Sequence, residues 1–378
     1  MSDASAPRIA LVQTQAENAG AQEISRLLAA DFTARGFDVR QLFFFHRTGS
    51  FDASAQVEFC ADERPSGPLA FLRFLFQLYT RLRRMRPDVV VTFQHYGNVI
   101  AAPVARLAGA RRVVANQVTA GALLAPWLVG ADKWLGRLGA YDRIVVNSDV
   151  TADMFKDYPA SYRQRIVHID HGFEDKTQTI GKAEARAQLG LPLDVPLLGC
   201  AARLHPSKQL DVAIAILPAI DKAHLALAGQ GADRPRLEAA AREAGVSARV
   251  HFLGELAPER IGLFLAALDC FVFPSAAESF GLAPVEAAQT GLPVVANELP
   301  VLKDVLSVEG EPCAIFADAR DHAAFGNAVN LVLDDPALAA KLGAVGRRLK
   351  GRYPLSAMTG AYAELIGKLI GSGDASRP

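Results

Sequence analysis

Pro274-Ser275-Ala276-Ala277-Glu278-Ser279-Phe280-Gly281-Leu282-Ala283-Pro284-Val285-Glu286 is the stretch on which the reading of this chain turns. The apolar run before it, Leu268 to Phe273, reads as a buried strand, and Pro284 to Gln289 as the first turns of a helix with proline near its start. Glu278 then falls in a loop and Glu286 in a helix, eight positions on. Between them the backbone N–H groups of Phe280, Gly281 and Leu282 lie just ahead of a helix N-terminus, where unpaired donors and the helix dipole favour an anion. A phosphate fits there. A carboxylate can accept two hydroxyl hydrogen bonds at once, so Glu278 suits a sugar ring and Glu286 the vicinal hydroxyls of a ribose. Taken alone, two glutamates at this spacing read equally as solvated charges near a helix start, and their surroundings decide between the readings.

Those surroundings are two α/β halves. At 378 residues and 51% hydrophobic content, the chain exceeds one comfortable core and points to two domains. Arg8 to Val12 reads as a strand, Ala21 to Arg35 as a helix ending at Gly36, and Asp38 to Phe45 as a second strand. Strands at Asp88 to Phe93, Arg112 to Ala115, Asp142 to Asn147 and Arg165 to Ile169 continue a parallel, doubly wound sheet. A polar stretch from Asp175 to Asp194 carries one helix, Lys182 to Leu189, and reads as the linker. The alternation then repeats: strands at Leu197 to Ala201, Ala223 to Ala228, Val250 to Leu253 and Asp269 to Phe273, helices at Leu210 to Ile220, Pro235 to Ala244 and Pro258 to Leu268. Two Rossmann-like domains, 1–174 and 175–355, are expected to face each other across a cleft, with a helix in 356–378 returning to the first.

Net charge is zero, which gives no global reason to expect nucleic acid as a partner. The four cysteines, Cys60, Cys200, Cys270 and Cys313, are scattered and suggest neither a zinc site nor disulfides, so a reducing cytoplasm is the expected home. Met1 to Pro7 lacks the character of a signal peptide, and no uncharged apolar run of membrane-spanning length follows.

Two further features converge on a diphosphate. In Ala202-Arg203-Leu204-His205-Pro206-Ser207-Lys208 a guanidinium and an ammonium stand five residues apart in the loop after the second domain's first strand. Both can reach one anion, the fork of arginine and the compact charge of lysine suiting a pyrophosphate whose charge grows as its bond breaks. In Ala228-Gly229-Gln230-Gly231, glycines at a strand-to-helix turn mark a place where the backbone approaches something closely. The corresponding loop of the first domain, Gln15 to Ala21, holds the single glycine Gly20, so it is not the Gly-x-Gly-x-x-Gly fingerprint of a nicotinamide or flavin enzyme.

Arg203 with Lys208, Gly229 with Gly231, Pro274-Ser275 running into Glu278-Ser279-Phe280-Gly281 and Glu286, and Gly291-Leu292-Pro293-Val294-Val295-Ala296 together resemble retaining glycosyltransferases of the GT-B fold, family 4 type. The resemblance spans nearly the whole chain and is most specific in its second half. It implies a GT-B fold and transfer of a sugar from a UDP- or GDP-sugar to a glycan or lipid-linked acceptor, in surface or exopolysaccharide biosynthesis. It further implies that Glu278, Arg203 and Lys208 are the catalytic set. Donor binding would fall to Gly20, Gly229, Leu256, Ser279, Phe280, Gly281, Leu282 and Glu286, with Leu256 near the base and the N–H of Gly20 on the phosphate. His171-Gly172 resembles the Asn-Gly turn of the interdomain crossing, with histidine for asparagine. Family members often carry a histidine after the strand Arg112 to Ala115; here Asn116-Gln117 follows, leaving His95, Asn116 and Gln117 as acceptor-side candidates. The glycines common after the strand ending at Ala296 are replaced by Asn297-Glu298-Leu299-Pro300. No Asp-x-Asp occurs, so neither a catalytic metal nor any cofactor beyond the donor is expected. An epimerase or hydrolase of the same fold, or a nucleotide-sugar-binding protein without transfer activity, are the alternatives.

Between Arg64 and Arg86 there are six arginines and no acidic residue, with Leu69, Phe71, Leu72, Phe74, Leu75, Phe76 and Leu78 forming a wide apolar face. Such a helix can lie on an anionic membrane as a peripheral contact, or pack its apolar side on the sheet with its arginines in water. Both tryptophans, Trp127 and Trp134, fall in a second amphipathic stretch.

Overall fold

The computed structural model describes residues 6–52, 54–119, 121 and 124–371. The chain divides into two units: the first runs up to Gly172 and resumes at Leu355, and the second is Phe173–Pro354. Unit 1 opens with β1 (Arg8–Ala16), α1 (Gly20–Ala34), β2 (Asp38–His46), β3 (Val57–Ala61) and α2 (Pro68–Met85). It continues through β4 (Val89–Phe93), α3 (His95–Ala108), β5 (Arg112–Gln117), α4 (Pro126–Arg137), β6 (Arg143–Val146), α5 (Asp149–Asp153), α6 (Ala160–Arg163) and β7 (Ile166–His168).

Its seven strands pair in the order β3-β2-β1-β4-β5-β6-β7, all parallel. The central strands are buried on both faces, which is why Val89–Phe93 is apolar at every position but Thr92. Because the order reverses at β1/β4, right-handed crossovers put α1 on one face of the sheet and α2, α3 and α4 on the other. A single core joins that second layer to the sheet: Phe74, Leu78 and Leu82 of α2, Ala101 and Ala105 of α3 and Leu135 of α4 lie over Val12, Leu42, Val90 and Val113.

The face of α2 expected from its sequence splits in two. Phe74 and Leu78 point into the core, whereas Leu69, Leu72 and Phe76 lie on the opposite side at 82%, 60% and 63% exposure. A helix apolar nearly all round meets the sheet with one stripe and leaves the other outside. β3 is a half-buried edge strand that its sequence does not announce, because its alternation is blurred by Glu58 and Cys60.

Unit 2 begins with α7 (Lys182–Leu189), β8 (Leu197–Ala201), α8 (Leu210–Ala215), β9 (His224–Ala228), α9 (Arg234–Glu243), β10 (Val250–Gly254), α10 (Pro258–Ala267), β11 (Cys270–Phe273) and α11 (Leu282–Gln289). Then come β12 (Val294–Asn297), α12 (Pro300–Val305), the antiparallel pair β13 (Ser307–Val308) and β14 (Glu311–Pro312), β15 (Ala314–Ala317), α13 (His322–Asp334) and α14 (Pro336–Arg352). The main sheet is β10-β9-β8-β11-β12-β15, again parallel. Its order reverses at β8/β11, so the loops that follow these two strands open side by side at a switch point. The helix expected over Leu210 to Ile220 stops at Ala215 and passes into a short 3₁₀ turn at Leu217–Ala219, where Pro218 removes a donor.

The last helix, α15 (Leu355–Gly371), packs with α1 in unit 1. The Tyr362 hydroxyl donates to Asn116 Oδ1, and Arg112 Nε donates to the Leu369 carbonyl at 3.0 Å. Among the described residues, no helix is long and apolar enough to cross a membrane, and no group of three or more His, Cys, Asp or Glu side chains is placed to hold a metal ion.

Candidate functional site

Four loops meet at the C-terminal end of the unit 2 sheet. The loop after β8 runs Ala202 to Gln209 and folds into a 3₁₀ turn at Pro206–Lys208, capped by His205, whose Nδ1 accepts from the Ser207 N–H at 3.2 Å. The loop after β11 is laid against it: the Ala276 N–H and the Ser275 hydroxyl both donate to the Ser207 carbonyl, at 2.9 and 3.3 Å. These contacts bring Lys208 Nζ to 2.5 Å from Glu278 Oε1, with only 20% and 11% of the two side chains exposed. Lys208 also stands 5.6 Å over the Phe273 ring, which adds a cation–π attraction from below. Two of the three residues expected to do the chemistry are thus already paired, and each keeps hydrogen-bonding capacity beyond that one contact. Arg203, in the same loop, is exposed.

The glycines after β9 serve a purpose that spacing alone does not reveal. A Cβ on Gly229 would stand 1.9 Å from the Ala202 carbonyl oxygen, and one on Gly231 2.1 Å from that of Leu204. The close neighbour is the arginine loop itself. The Ala202 N–H donates to the Ala228 carbonyl and the Leu204 N–H to the Gln230 carbonyl, both at 3.0 Å, so Arg203 is held between two backbone rungs. Leu256, expected near the base, is buried just beyond β10, and the Gln230 side chain donates to Glu255 one residue before it.

Gly281 precedes α11 with φ 97°, a conformation a side chain would strain, and a Cβ there would also meet Leu302 Cδ2 at 2.6 Å. The helix therefore starts one residue later, with Leu282 and Ala283 ahead of Pro284, and its first N–H groups lack partners within the helix. Ser279 and Glu286 are half-buried on either side of this start. Phe280 is 2% exposed and packs against Tyr353 and Phe173 with ring centroids 5.4 and 6.0 Å away, so its side chain is a structural anchor and its backbone is the part turned to the loop.

Asn297, flagged in the sequence only as a missing glycine, ties the loops together. Its Nδ2 donates to the Ser275 carbonyl at 2.9 Å, and its Oδ1 accepts from the N–H groups of Glu298 and Ala319 at 2.9 and 3.0 Å. A glycine could not do this.

In unit 1, Gly20 is the exposed first residue of α1. Asn116 and Gln117 are fully buried and their polar groups are engaged within the unit. Gln117 Nε2 donates to Asp132 Oδ1 at 2.9 Å, and its Oε1 accepts from Asn98 at 3.1 Å. Asp132 accepts in addition from Tyr141 and Tyr162, at 2.9 and 2.7 Å, and burial pushes its carboxyl up. His95, the first residue of α3, is 1% exposed, stacked on Phe155 at 6.0 Å, and finds no hydrogen-bond partner for either ring nitrogen among the described residues. Burial alone lowers its imidazole to about 4, so it is neutral at pH 7.

Two parallel α/β units with a polar switch-point site in the second define the GT-B fold, the architecture of a class of glycosyltransferases. The family models agree on both halves: residues 19–176 match "Glycosyltransferase Family 4" and residues 181–349 match "Glycosyl transferases group 1". Among curated proteins, a D-inositol 3-phosphate glycosyltransferase of Corynebacterium urealyticum is 32% identical over 210 residues, which cover 51% of this chain and 49% of that one. The chain spans about half the length of the curated relatives it matches. Sucrose-phosphate synthase from Thermosynechococcus elongatus superposes with a TM-score of 0.80 at 22% identity, over 97% of this chain and 100% of the other. HepE of Anabaena, solved with UDP-glucose, gives 0.82 at 19% identity over 96% and 99%.

Proposed function

We propose that this chain is a retaining hexosyltransferase of family 4 type that moves a sugar from a UDP- or GDP-sugar to a glycan or lipid-linked acceptor in the assembly of a surface or extracellular polysaccharide. The observation that carries the reading is the Lys208–Glu278 pair at 2.5 Å, set beside the start of α11 and under the loop that presents Arg203. An arriving diphosphate takes the ammonium of Lys208 and the guanidinium of Arg203, with the loop N–H groups from Ser279 to Leu282, while Glu278 accepts from sugar hydroxyls. The bond from the anomeric carbon to the phosphate oxygen breaks, and a bond from the same face to the acceptor oxygen forms. The departing phosphate oxygen takes the acceptor proton, and the cations that hold it are matched to the charge that grows there. Glu286 takes the ribose, the segment at Leu256 with Gly229 the nucleoside side, and Gly20 the phosphate from unit 1. The reading assigns no step to a metal or a further cofactor.

Acceptor recognition falls to unit 1, with His95 as its neutral polar group and Asn116 and Gln117 as supports behind it. The chain would work inside the cell, meeting the membrane peripherally through residues 64–86. The relatives named as D-inositol 3-phosphate glycosyltransferases add a phosphorylated cyclitol to the acceptors worth offering.

A thermal-shift panel of UDP, GDP, ADP and their sugar conjugates tests the donor. A ligand at a hundred times its Kd adds about 2.7 kcal/mol to stability, so one nucleotide should stand out. Lys208→Ala should abolish that shift, and Glu278→Gln should keep it while cutting turnover roughly 100-fold or more. Sugar release without acceptor would favour a hydrolase or epimerase, binding without consumption a nucleotide-sugar-binding protein. No shift with any nucleotide would overturn the reading.

A further inference from the structure

The N-terminal end of the unit 1 sheet holds a cavity of about 430 Å³ that the transfer reading leaves unused. It lies where α2 runs out. Phe74, Leu78 and Leu82 of that helix cover Leu42 and Phe44 of β2. The helix then ends at Met85, with Arg86 in a left-handed cap whose N–H donates to the Leu82 carbonyl at 3.0 Å. The first residues of β1 and β2 are left without helix above them. By strand alternation and register, Arg8, Ala10, Asp38, Arg40 and Glu58 share the face that carries Val12 and Leu42 further along. Ala10 is too short to fill the gap, so it forms an apolar floor with buried Ile9 and Pro87 and the half-buried thioether of Met85.

Both carboxylates on the wall are already engaged. Glu58 accepts from Arg84 and has Arg81 Nε 3.7 Å from the same oxygen, and Asp38 faces Arg40 Nε at 3.6 Å. Arg84 also stands in the last turn of α2, where unpaired carbonyls favour a cation. Arg8 is the exception. Its backbone N–H donates to Asp88 Oδ2 at 2.9 Å, but its half-buried guanidinium has no hydrogen bond or ion pair among the described residues. Asp38, its register partner on β2, pairs with Arg40 instead. A guanidinium drawn partly out of water with its fork unfilled is costly unless an anion completes it. The wall sets three guanidiniums against two carboxylates, an excess of one positive charge. A monoanion balances that excess, whereas a dianion would be repelled by Asp38 and Glu58, and a cation by the excess itself. The planar fork suits a carboxylate, and the aliphatic floor asks for an apolar body attached to it.

We propose that this cavity binds a small organic carboxylate, its two oxygens on the Arg8 guanidinium and its hydrocarbon body on Ala10, Met85 and Pro87. Arg40, at the rim and beyond hydrogen-bond reach of Asp38, is free to turn to the same carboxylate. The site is separate from the residues given to transfer in unit 1, which follow the C-terminal ends of β1, β4 and β5. The inference is therefore independent of the transfer reading.

The chain has four methionines, and among them Met85 lines the cavity, so its methyl group is a local reporter. Full-length protein carrying ¹³C-labelled methionine methyls is titrated by NMR with sodium hexanoate, hexylammonium chloride and inorganic phosphate at constant ionic strength. Met85→Leu identifies the signal. Expected is saturable movement of the Met85 methyl with hexanoate, half complete at roughly a millimolar, with Met154 and Met358 stationary and no movement with the other two probes. Arg8→Gln should weaken hexanoate roughly tenfold or more while leaving the melting temperature unchanged, because it removes no partner within the fold. Arg8→Lys, which keeps the charge without the fork, should fall between. No movement with hexanoate in large excess, equal movement with hexylammonium or phosphate, or undiminished binding in Arg8→Gln would overturn the proposal. A lower melting temperature in Arg8→Gln would overturn it too, by showing that the guanidinium serves the fold.

Discussion

Gly231→Ala isolates the account of how Arg203 is presented. Gly231 does not adopt a positive φ, so alanine meets no backbone penalty, and the whole effect comes from the methyl group. That methyl would stand 2.1 Å from the Leu204 carbonyl oxygen, 2.8 Å from its carbon and 3.0 Å from the Leu204 nitrogen. Since side-chain carbons essentially never approach closer than 3.0 Å, the Leu204 backbone must retreat by at least 3.0 − 2.1 = 0.9 Å. Two hydrogen bonds hold it where it is, Leu204 N–H to the Gln230 carbonyl at 3.0 Å and Asp233 N–H to the Leu204 carbonyl at 3.2 Å. Losing both costs about 2 kcal/mol, and residual crowding about 1 more. A cost of roughly 3 kcal/mol in a unit of this size lowers its melting temperature by roughly 6–12 °C. Because Arg203 adjoins the displaced backbone, nucleotide affinity should fall as well. Differential scanning calorimetry gives the first quantity and titration calorimetry with the nucleotide found in the thermal panel gives the second. A melting temperature within about 2 °C of wild type, with unchanged affinity, would refute the claim that the glycines exist to admit the arginine loop.

Acid should weaken unit 1 in a predictable window. Burial holds His95 at about 4 and His171 at about 3, whereas both titrate near 6.5 once unfolded, so below pH 6.5 the unfolded chain takes up protons that the folded one refuses. Stability is full above that pH and falls by up to ~1.4 kcal/mol per histidine per pH unit below it; Asp132, raised by burial, works in the opposite direction. Denaturant midpoints at pH 7 and 5 should differ accordingly, and His95→Phe should flatten the slope; an identical slope in that variant would contradict the assignment. Tyr362→Phe removes the donor to buried Asn116 and should cost roughly 1–3 kcal/mol, with faster hydrogen exchange along α15; unchanged exchange there would mean the helix is held by packing alone.

Much of unit 2 is legible in its sequence because the residues that shape its loops are the ones with few conformational options. Gly281 must turn, Pro284 must sit near a helix start, and the apolar runs at 197–201 and 270–273 have nowhere to go but a buried sheet. What spacing cannot give is the partner of a close approach: Gly229 and Gly231 announce crowding, and only coordinates show that the crowding comes from residues 202–204. Asn297 escapes for a related reason, since two of its three hydrogen bonds, to Ser275 and Ala319, reach 22 residues back and 22 forward in sequence. Asn116 and Gln117 read as polar ends of a strand, with no local sign of the tyrosines and Asp132 waiting to satisfy them. On α2 the apolar residues exceed what one face can hold, and composition does not say which half is buried.

The place where the chain enters and leaves unit 2 has a topological meaning. The Phe173 N–H donates to the Tyr353 carbonyl at 3.2 Å, and Phe173 forms a parallel bridge with Pro354. Unit 2 is therefore an insertion whose two ends are hydrogen-bonded neighbours, so excising it leaves a gap in unit 1 that a few residues can close at little entropic cost. Its own termini, freed together at one spot, could be rejoined just as cheaply, which makes unit 2 a cassette that can be moved, permuted or exchanged without redesigning either sheet.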